Sequence, residues 1–473
     1  MTTNDPGRRP RVLLPVTYGF SVRYLLPTGI LDALGRFCSP VVGLGWDDDE
    51  LSALLRERGI EVQRLPDVHL THGYRMFRRR IAVLHERRLG SPTSRIQRAQ
   101  RLSTFPFPRS WAIAVARRWL DALAVSVPGG AAKVEAAERS QIERGTNLSE
   151  LQAFLERSQV DAVVSVTPYH DQDALLLLAA ARRGTPTLTS VISFDNPTTR
   201  ERLVARSDRT LVWNRFNAAE LTRAYADLDP ASVEVVGAPQ FDLHRRPDLI
   251  VDEATWRDRL GLPTGRPVIL YGAGPSTLVP GEAGLVELID RAIDEARVPG
   301  SPFLLVRRHP TDPAEPWSAL GRRLRHGVVA DPWAEGANPS RGWPTDDDLV
   351  MSNASLAHSA VHVNVCSSMT VDGSVFDRPQ IGPSFVPGAT WRQRRTLRSF
   401  YRQEHWQPIA RSGGLTVVDD EAALVTAIAE ALARPESGRE GRTRLVKEVL
   451  TFDDGRSSER LVAAVERFLA AQS

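Results

Sequence analysis

The chain has little cysteine, almost no lysine and no long apolar run, and each shortage excludes something. Only Cys38 and Cys366 occur among 473 residues. They are far apart and make no metal-ligand spacing, so neither a disulfide scaffold nor a cysteine-held metal is expected, and a reducing compartment is. The longest apolar stretch, Ala174–Ala181, is too short to span a bilayer. The opening MTTNDPGRRP is polar and lacks the apolar segment of a secretory signal. A cytoplasmic protein is therefore expected. Lysine is confined to Lys133 and Lys447, so nearly all of the 60 basic residues are arginine, a compositional bias before it is a function. Against 57 acidic residues they leave a net charge of +3, which gives no support to general nucleic-acid binding. No GxxxxGK[ST] stretch is present, which argues against a P-loop kinase or ATPase. GAGPS (Gly272–Ser276) lacks the full GxGxxG and has no acid at the ribose-binding distance beyond it, which argues against a dehydrogenase. No short-period repeat is evident.

What is present is a steady alternation of strand-like and helix-like segments, the signature of parallel α/β sheets. The sequence predicts strands at Arg11–Val16, Val41–Leu44, Asp161–Val166, Thr187–Ser193, Arg209–Trp213 and Val233–Val236, with helices at 23–37, 49–58 and through Ala180. The polar stretch PQFDLHRRPDLIVDEATW reads as an interdomain linker, and from Val268 a second α/β series begins. The expected layout is an N-terminal Rossmann-like domain over 1–245, a C-terminal one over 250–445, and a final helix in 446–473 that packs back on the first.

Residues 74–118 break the pattern. They carry 12 arginines against one acid, Glu86, and hold Phe77, Phe105, Phe107 and Trp111. Such an insertion suits peripheral contact with an anionic membrane face or a phosphorylated acceptor; a solvated helical excursion is the plainer alternative. No nucleic-acid-binding motif accompanies the charge.

The richest chemistry lies between Asp346 and Ser384. Val361–Val365 reads as a buried strand, Cys366-Ser367-Ser368 as a polar turn, and Met369–Phe376 as a helix stopped by Pro379. Strand, small polar turn and helix aim backbone N–H groups at an anion. Ser367, Ser368 and Thr370 add hydroxyls there, and Asp372, a turn later, could meet a ribose diol; helix capping and dipole complementation are the alternative roles. Phosphate plus ribose means a nucleotide. In doubly wound sheets ligands lie beyond the carboxyl ends of strands, which also brings forward Gly272 and Gly274, Arg307 and Arg308, and His309. The glycines permit close backbone approach to phosphate, the arginines neutralise it, and His309 can donate to it; a tight turn and a satisfied loop histidine are the alternatives.

The run SS-x-T-x-D followed by FDRP resembles the nucleotide-binding element of GT-B glycosyltransferases. Within them it resembles the CDP-glycerol glycerophosphotransferase and sugar-transferase branch, with its DxxINxxSSxxxDxxxxxxPxI style of segment. VILYGAGPS (Val268–Ser276), LLVRRHPTD (Leu304–Asp312) and the closing stretch Phe400–Leu432 agree in order, so the resemblance covers roughly residues 208–435. It implies that Ser367 and Ser368 hold a donor diphosphate and Asp372 the ribose. It implies two Rossmann-like domains facing a cleft, with a nucleotide-sugar as donor substrate and no separate cofactor.

In the first half the positions after strands are Thr17-Tyr18-Gly19, Thr167–Asp171 and Phe194-Asp195-Asn196. An acceptor hydroxyl needs a general base. Asp195 and His170 are the candidates, with Tyr18, Asp171 and Asp173 next. The acidic runs at 47–50 and 346–348 each precede a helix and read as caps rather than metal ligands, so metal-independent transfer is expected. The sequence thus points to a glycosyltransferase. A polyol-phosphate transferase, a UDP-N-acetylglucosamine 2-epimerase-like enzyme and a non-catalytic binding protein of the same fold are the alternatives.

Overall fold

A computed structural model describes residues 8–103, 109–332 and 342–472. Phe105 and Phe107 of the basic insertion, and the N-terminal residues 1–7, lie outside the described residues. The chain divides into two compact units. One comprises Met1–Ser94, Phe105–Gln240 and Arg456–Ser473; the other comprises Arg95–Thr104 and Phe241–Gly455.

The first unit is built on seven parallel strands: β1 (Arg11–Val16), β2 (Ser39–Leu44), β3 (Glu61–Arg64), β4 (Ala162–Ser165), β5 (Thr187–Ser190), β6 (Arg209–Val212) and β7 (Val233–Val235). Their order is β3-β2-β1-β4-β5-β6-β7. Leu13, Val41 and Val163 are fully buried between helices, as strands covered on both faces require. The single helix expected over 23–37 is two short ones, Gly19–Leu25 and Ile30–Leu34. Pro27 and Gly29, which sits at a φ of 74°, separate them. The C-terminal helix Ser457–Ala470 packs within this unit against Ile30–Leu34.

Between β3 and β4 the chain makes a helical excursion. Helices His72–Leu89, Arg109–Ser126 and Gly130–Gly145 pack on one another around Ile81, Val83, Leu84, Val125 and Val134. Arginines lace them together. Arg78 pairs with Glu138 at 2.7 Å, Arg80 with Asp121 at 3.2 Å, Arg88 with Glu135 at 2.8 Å, and Arg118 with Glu86. Part of the basic charge is therefore internal to the fold.

The second unit has six parallel strands: β8 (Val268–Gly272), β9 (Phe303–Arg307), β10 (Gly327–Ala330), β11 (Val361–Asn364), β12 (Gln380–Pro383) and β13 (Leu415–Val418). Their order, β10-β9-β8-β11-β12-β13, is the doubly wound order of Rossmann folds. On one face of the sheet Ile269, Tyr271, Leu304, Val306, Val361 and Val363 pack with Leu285, Ile289 and Ile428, and on the other Val268, Leu270 and Leu305 pack with Trp256, Met351 and Leu356. The chain reverses direction across the sheet between β8 and β11, and crevices for ligands open at the carboxyl ends of strands at such a point.

Candidate functional site

At the carboxyl end of β11, Asn364 organises the turn that follows. Its Oδ1 accepts from the Ser367 backbone N–H at 3.1 Å and from the Thr370 hydroxyl at 2.9 Å. Cys366, just before the serines, sits at a φ of 49°, a strained setting for a residue with a Cβ. Tyr401 holds it there: its hydroxyl accepts from the Cys366 N–H at 3.2 Å and donates to the Pro383 carbonyl at 2.9 Å. Ser367 Oγ accepts from the Met369 N–H at 3.3 Å, and Ser368, exposed at the start of the helix Met369–Val375, makes no capping bond with its side chain. Both hydroxyl hydrogens remain available to a ligand. Thr370 differs from the expectation. It is fully buried and its hydroxyl is given to Asn364, so it shapes the turn from beneath.

Asp372 follows one turn on, largely buried, with its side chain 13% exposed. Its Oδ1 lies 2.7 Å from His244 Nε2. His244 Nδ1 in turn lies 2.8 Å from Asn353 Oδ1, and the Asn353 amide donates to the Leu243 carbonyl at 2.9 Å. That last bond fixes the amide, so Asn353 offers an acceptor to the ring and His244 Nδ1 carries a hydrogen. Phe241 and Phe376 pack on the imidazole edge-on. His244, which the sequence places in the linker, is thus the residue that orients the Asp372 carboxylate. Gly373 is required beside it, because a Cβ there would run into His362 and Gln380.

The loop after β8 is tied down by two buried carboxylates. Glu282 accepts from the Gly274 N–H and from the Tyr271 hydroxyl, both at 2.9 Å. Burial pushes its carboxyl up to about 8. Asp312 accepts from the Ser276 N–H at 3.0 Å and from Trp317 Nε1 at 3.2 Å. The Gly274 amide expected to face a phosphate is therefore committed to Glu282. Gly272 serves packing: a Cβ there would collide with Met369.

After β9, Arg307 and Arg308 are both buried and bonded within the unit. Arg307 donates to the Pro332 carbonyl at 3.1 Å; Arg308 pairs with Asp331 and donates to the Asp312 carbonyl at 2.7 Å. These bonds brace the loop that leads from β9 to His309. His309 is half-buried, and its Nδ1 accepts from the Thr311 N–H at 3.2 Å. Nε2 therefore carries the hydrogen of a neutral ring, which burial favours by lowering its proton affinity. The strands β9 and β11 flank β8, so His309 and the serine turn both follow the carboxyl ends of strands beside it, and Asp372, held by His244, stands one helical turn beyond the serines.

In the first unit the corresponding reversal lies between β1 and β4. Its floor is stitched by Asp173, which is fully buried and accepts from Thr17 at 2.5 Å, Ser165 at 2.6 Å and Thr167 at 2.9 Å. Burial raises its carboxyl to about 6 in spite of those donors. His170 begins the helix Asp171–Arg182 and stacks on Tyr18, with ring centroids 5.0 Å apart. Burial, aided by Arg200, lowers the imidazole to about 4. Among the described residues no hydrogen bond joins that ring to the neighbouring Asp171 carboxylate. Asp195 accepts from Ser193 and, at 2.9 Å, from Thr199, so its carboxylate is held at the head of the short helix Asn196–Thr199.

The acidic runs cap helices. Asp48 accepts from the Leu51 N–H at 2.9 Å, and Asp348 forms a reciprocal capping pair with Thr345. Among the described residues no group of three or more His, Cys, Asp or Glu side chains is placed to hold a metal ion.

Two doubly wound parallel sheets in one chain define a GT-B-like fold, and solved structures share it over nearly the whole length. Staphylococcus aureus MnaA with UDP matches with a TM-score of 0.56 at 12% identity, over 98% of this chain and 97% of that one. The Neisseria meningitidis UDP-GlcNAc 2-epimerase bound to UDP-GlcNAc matches with a TM-score of 0.53 at 11% identity, over 97% and 100%. A Rickettsia africae glycosyltransferase matches with a TM-score of 0.51 at 10% identity, over 98% and 99%. The chain matches no protein-family model, and no curated protein matches it in sequence.

Proposed function

We propose that the protein is a nucleotide-sugar-dependent glycosyltransferase whose second unit binds the donor nucleotide. One observation carries the reading: a serine turn at the carboxyl end of β11, beside the strand-order reversal, is followed one helical turn later by an oriented carboxylate. Ser367, Ser368 and the His309 Nε2–H supply donors for a diphosphate. Asp372 keeps lone pairs for a ribose diol while His244 fixes its direction. In this chemistry an acceptor oxygen attacks the anomeric carbon, the bond to the diphosphate oxygen breaks, and a base takes the acceptor proton. Donors already in place for the departing diphosphate lower the barrier without a metal ion. His170 and Asp195 are the residues proposed for the base.

The 2-epimerase reading stands second, supported by the TM-score of 0.53 to the Neisseria meningitidis epimerase beside 0.51 to the Rickettsia africae glycosyltransferase. Transfer of a polyol phosphate rests only on the NxxSSxxxD spacing from Asn364 to Asp372. One experiment separates the three. The protein is incubated with UDP-, GDP-, CDP- and dTDP-sugars and with CDP-glycerol, with and without acceptor alcohols, in the presence and absence of chelator. Transfer predicts diphosphonucleoside release that needs an acceptor and survives chelator. Epimerisation predicts an altered sugar with no acceptor. Release of CMP from CDP-glycerol identifies the polyol reading. Failure to bind any of these nucleotides refutes all three.

A further inference from the structure

The helix Arg109–Ser126 carries a ridge of apolar side chains with nothing from its own unit upon it. Trp119 is 74% exposed, Leu120 64%, Leu123 60%, Ile113 47%, and Val127 just beyond the helix 45%. Of the eight large exposed hydrophobic residues among the described ones, four lie in this helix and Val127 follows it directly. Their spacing puts Ile113, Leu120, Leu123 and Val127 along one stripe, with Ala112 and Ala116 filling it and Trp119 at its edge. The opposite side of the helix is the packed one, where Val125 is buried against the helix His72–Leu89.

Charge says what covers the ridge. The helix has one acid, Asp121, which is buried and paired with Arg80. Its solvent side therefore carries no negative charge. Arg109 and Arg117 are exposed there and form no ion pair among the described residues. A second copy of the chain seated on this stripe would oppose the same arginines to themselves. A surface of acyl chains beneath anionic headgroups complements both features: leucine, isoleucine and tryptophan enter the apolar boundary, and arginine meets the phosphates. The sequence directs attention to the arginines and aromatics of 74–118. The structure moves the contact towards 109–127, since Phe77 packs inside the helical cluster and many of the arginines are already paired.

We propose that this ridge is a membrane-docking surface, lying in the interface of an anionic bilayer without crossing it. No helix among the described residues is long and apolar enough to cross a membrane. The inference does not depend on which reaction the protein catalyses.

The test uses the full chain and vesicles of phosphatidylcholine, with or without about 30% phosphatidylglycerol, in a co-sedimentation assay. The wild type is expected to bind the anionic vesicles and to release them in about 0.5 M salt. Leu120→Ser/Leu123→Ser is expected to bind at least about tenfold more weakly, because partition energy follows the apolar area buried. Quenching of tryptophan fluorescence by brominated lipid should be strong in the wild type and much reduced in Trp119→Ser. Circular dichroism and the melting temperature check folding. Should the double leucine variant fail to fold, Arg109→Ser/Arg117→Ser takes its place, with weakened binding to anionic vesicles expected. No binding by the wild type at low salt overturns the proposal. So does equal binding to neutral vesicles, or wild-type binding in folded ridge variants. Conversion of a dimer to a monomer by Leu120→Ser/Leu123→Ser, with vesicle binding unchanged, assigns the ridge to self-association and overturns it as well.

Discussion

Replacing Asp372 by asparagine removes a charge while leaving volume and shape nearly intact. The new side chain stays within reach of His244 Nε2, which now lies 2.7 Å from the carboxylate, so the fold should persist. A hydrogen bond to a charged group is worth about 1.5–3 kcal/mol, and one between neutral groups about 0.5–1.5 kcal/mol. The difference, about 1–2 kcal/mol, corresponds to a nucleotide dissociation constant raised roughly 5–30-fold. Truncation to alanine goes further, because it also strips His244 Nε2 of its partner in a buried setting. The His244→Leu variant approaches the same carboxylate from the other side. It leaves a side chain only 13% exposed without its partner, and breaking such a pair costs up to about 3–5 kcal/mol of stability. Calorimetric titration with UDP, GDP, CDP and dTDP identifies the nucleotide and then compares the variants, with thermal unfolding as the control. A folded Asp372→Asn protein that binds nucleotide with wild-type affinity would falsify the ribose role and leave the carboxylate as a structural partner of His244.

Three further outcomes follow from other parts of the two units. Glu282, raised from 4.5 to about 8, holds a proton in the folded state that the unfolded chain has lost, so its contribution to stability falls as pH rises from about 5 to 8. Melting temperatures across that range should show this decline, and Glu282→Gln should flatten it; an unchanged slope in the variant rules the group out. For the acceptor base, His170→Gln and Asp195→Asn should leave nucleotide affinity intact, and the variant lacking the base should lose about 10²–10⁴-fold in kcat. Near wild-type turnover in both would pass the role to Tyr18 or Asp171. If His170 is the base, the acid limb of the pH–rate profile should lie near its depressed value of about 4, since the ring accepts a proton only when neutral. Finally, Gly373→Ala should destabilise the second unit by about 1–3 kcal/mol through its collision with His362 and Gln380, and a melting temperature equal to the wild type's would show that these side chains yield freely.

Strands buried on both faces were legible because burial favours a nearly continuous apolar run: Val12-Leu13-Leu14 is of this type, and Val361-His362-Val363 departs from it at a histidine held neutral by burial, at about 3. Edge strand β3, Glu-Val-Gln-Arg, is half-solvated and gives no such run, so sequence reading missed it. The serine turn was legible because strand, turn and helix are contiguous. The partners that decide what its neighbours do were not. His244, Asn353 and Asp372 are brought together across 109 and 128 residues, and Glu282 reaches back to Gly274 over a loop. Local pattern marks a carboxylate or an amide as capable of a bond; only the tertiary fold shows whether the bond is already made. Arg308 illustrates the difference, since its spacing beside His309 is that of an anion clamp, whereas in the folded unit Asp331 takes its Nε.

The close fit at Gly373 has one more consequence. The helix Met369–Val375 rests on His362 and Gln380 with no room for a Cβ, and Met369 at its head rests on Gly272 in the same manner. The helix thereby sits close on the sheet at Gly373, and the span from the serine hydroxyls to the Asp372 carboxylate becomes a ruler set by that packing. On the proposed reading that ruler measures the interval between a ribose diol and its 5′-diphosphate. Ligands with an inserted or deleted bond between sugar and phosphate could satisfy one mark on it and not the other. Selection for the length of the ligand would then be built into backbone packing, at positions that never touch the nucleotide.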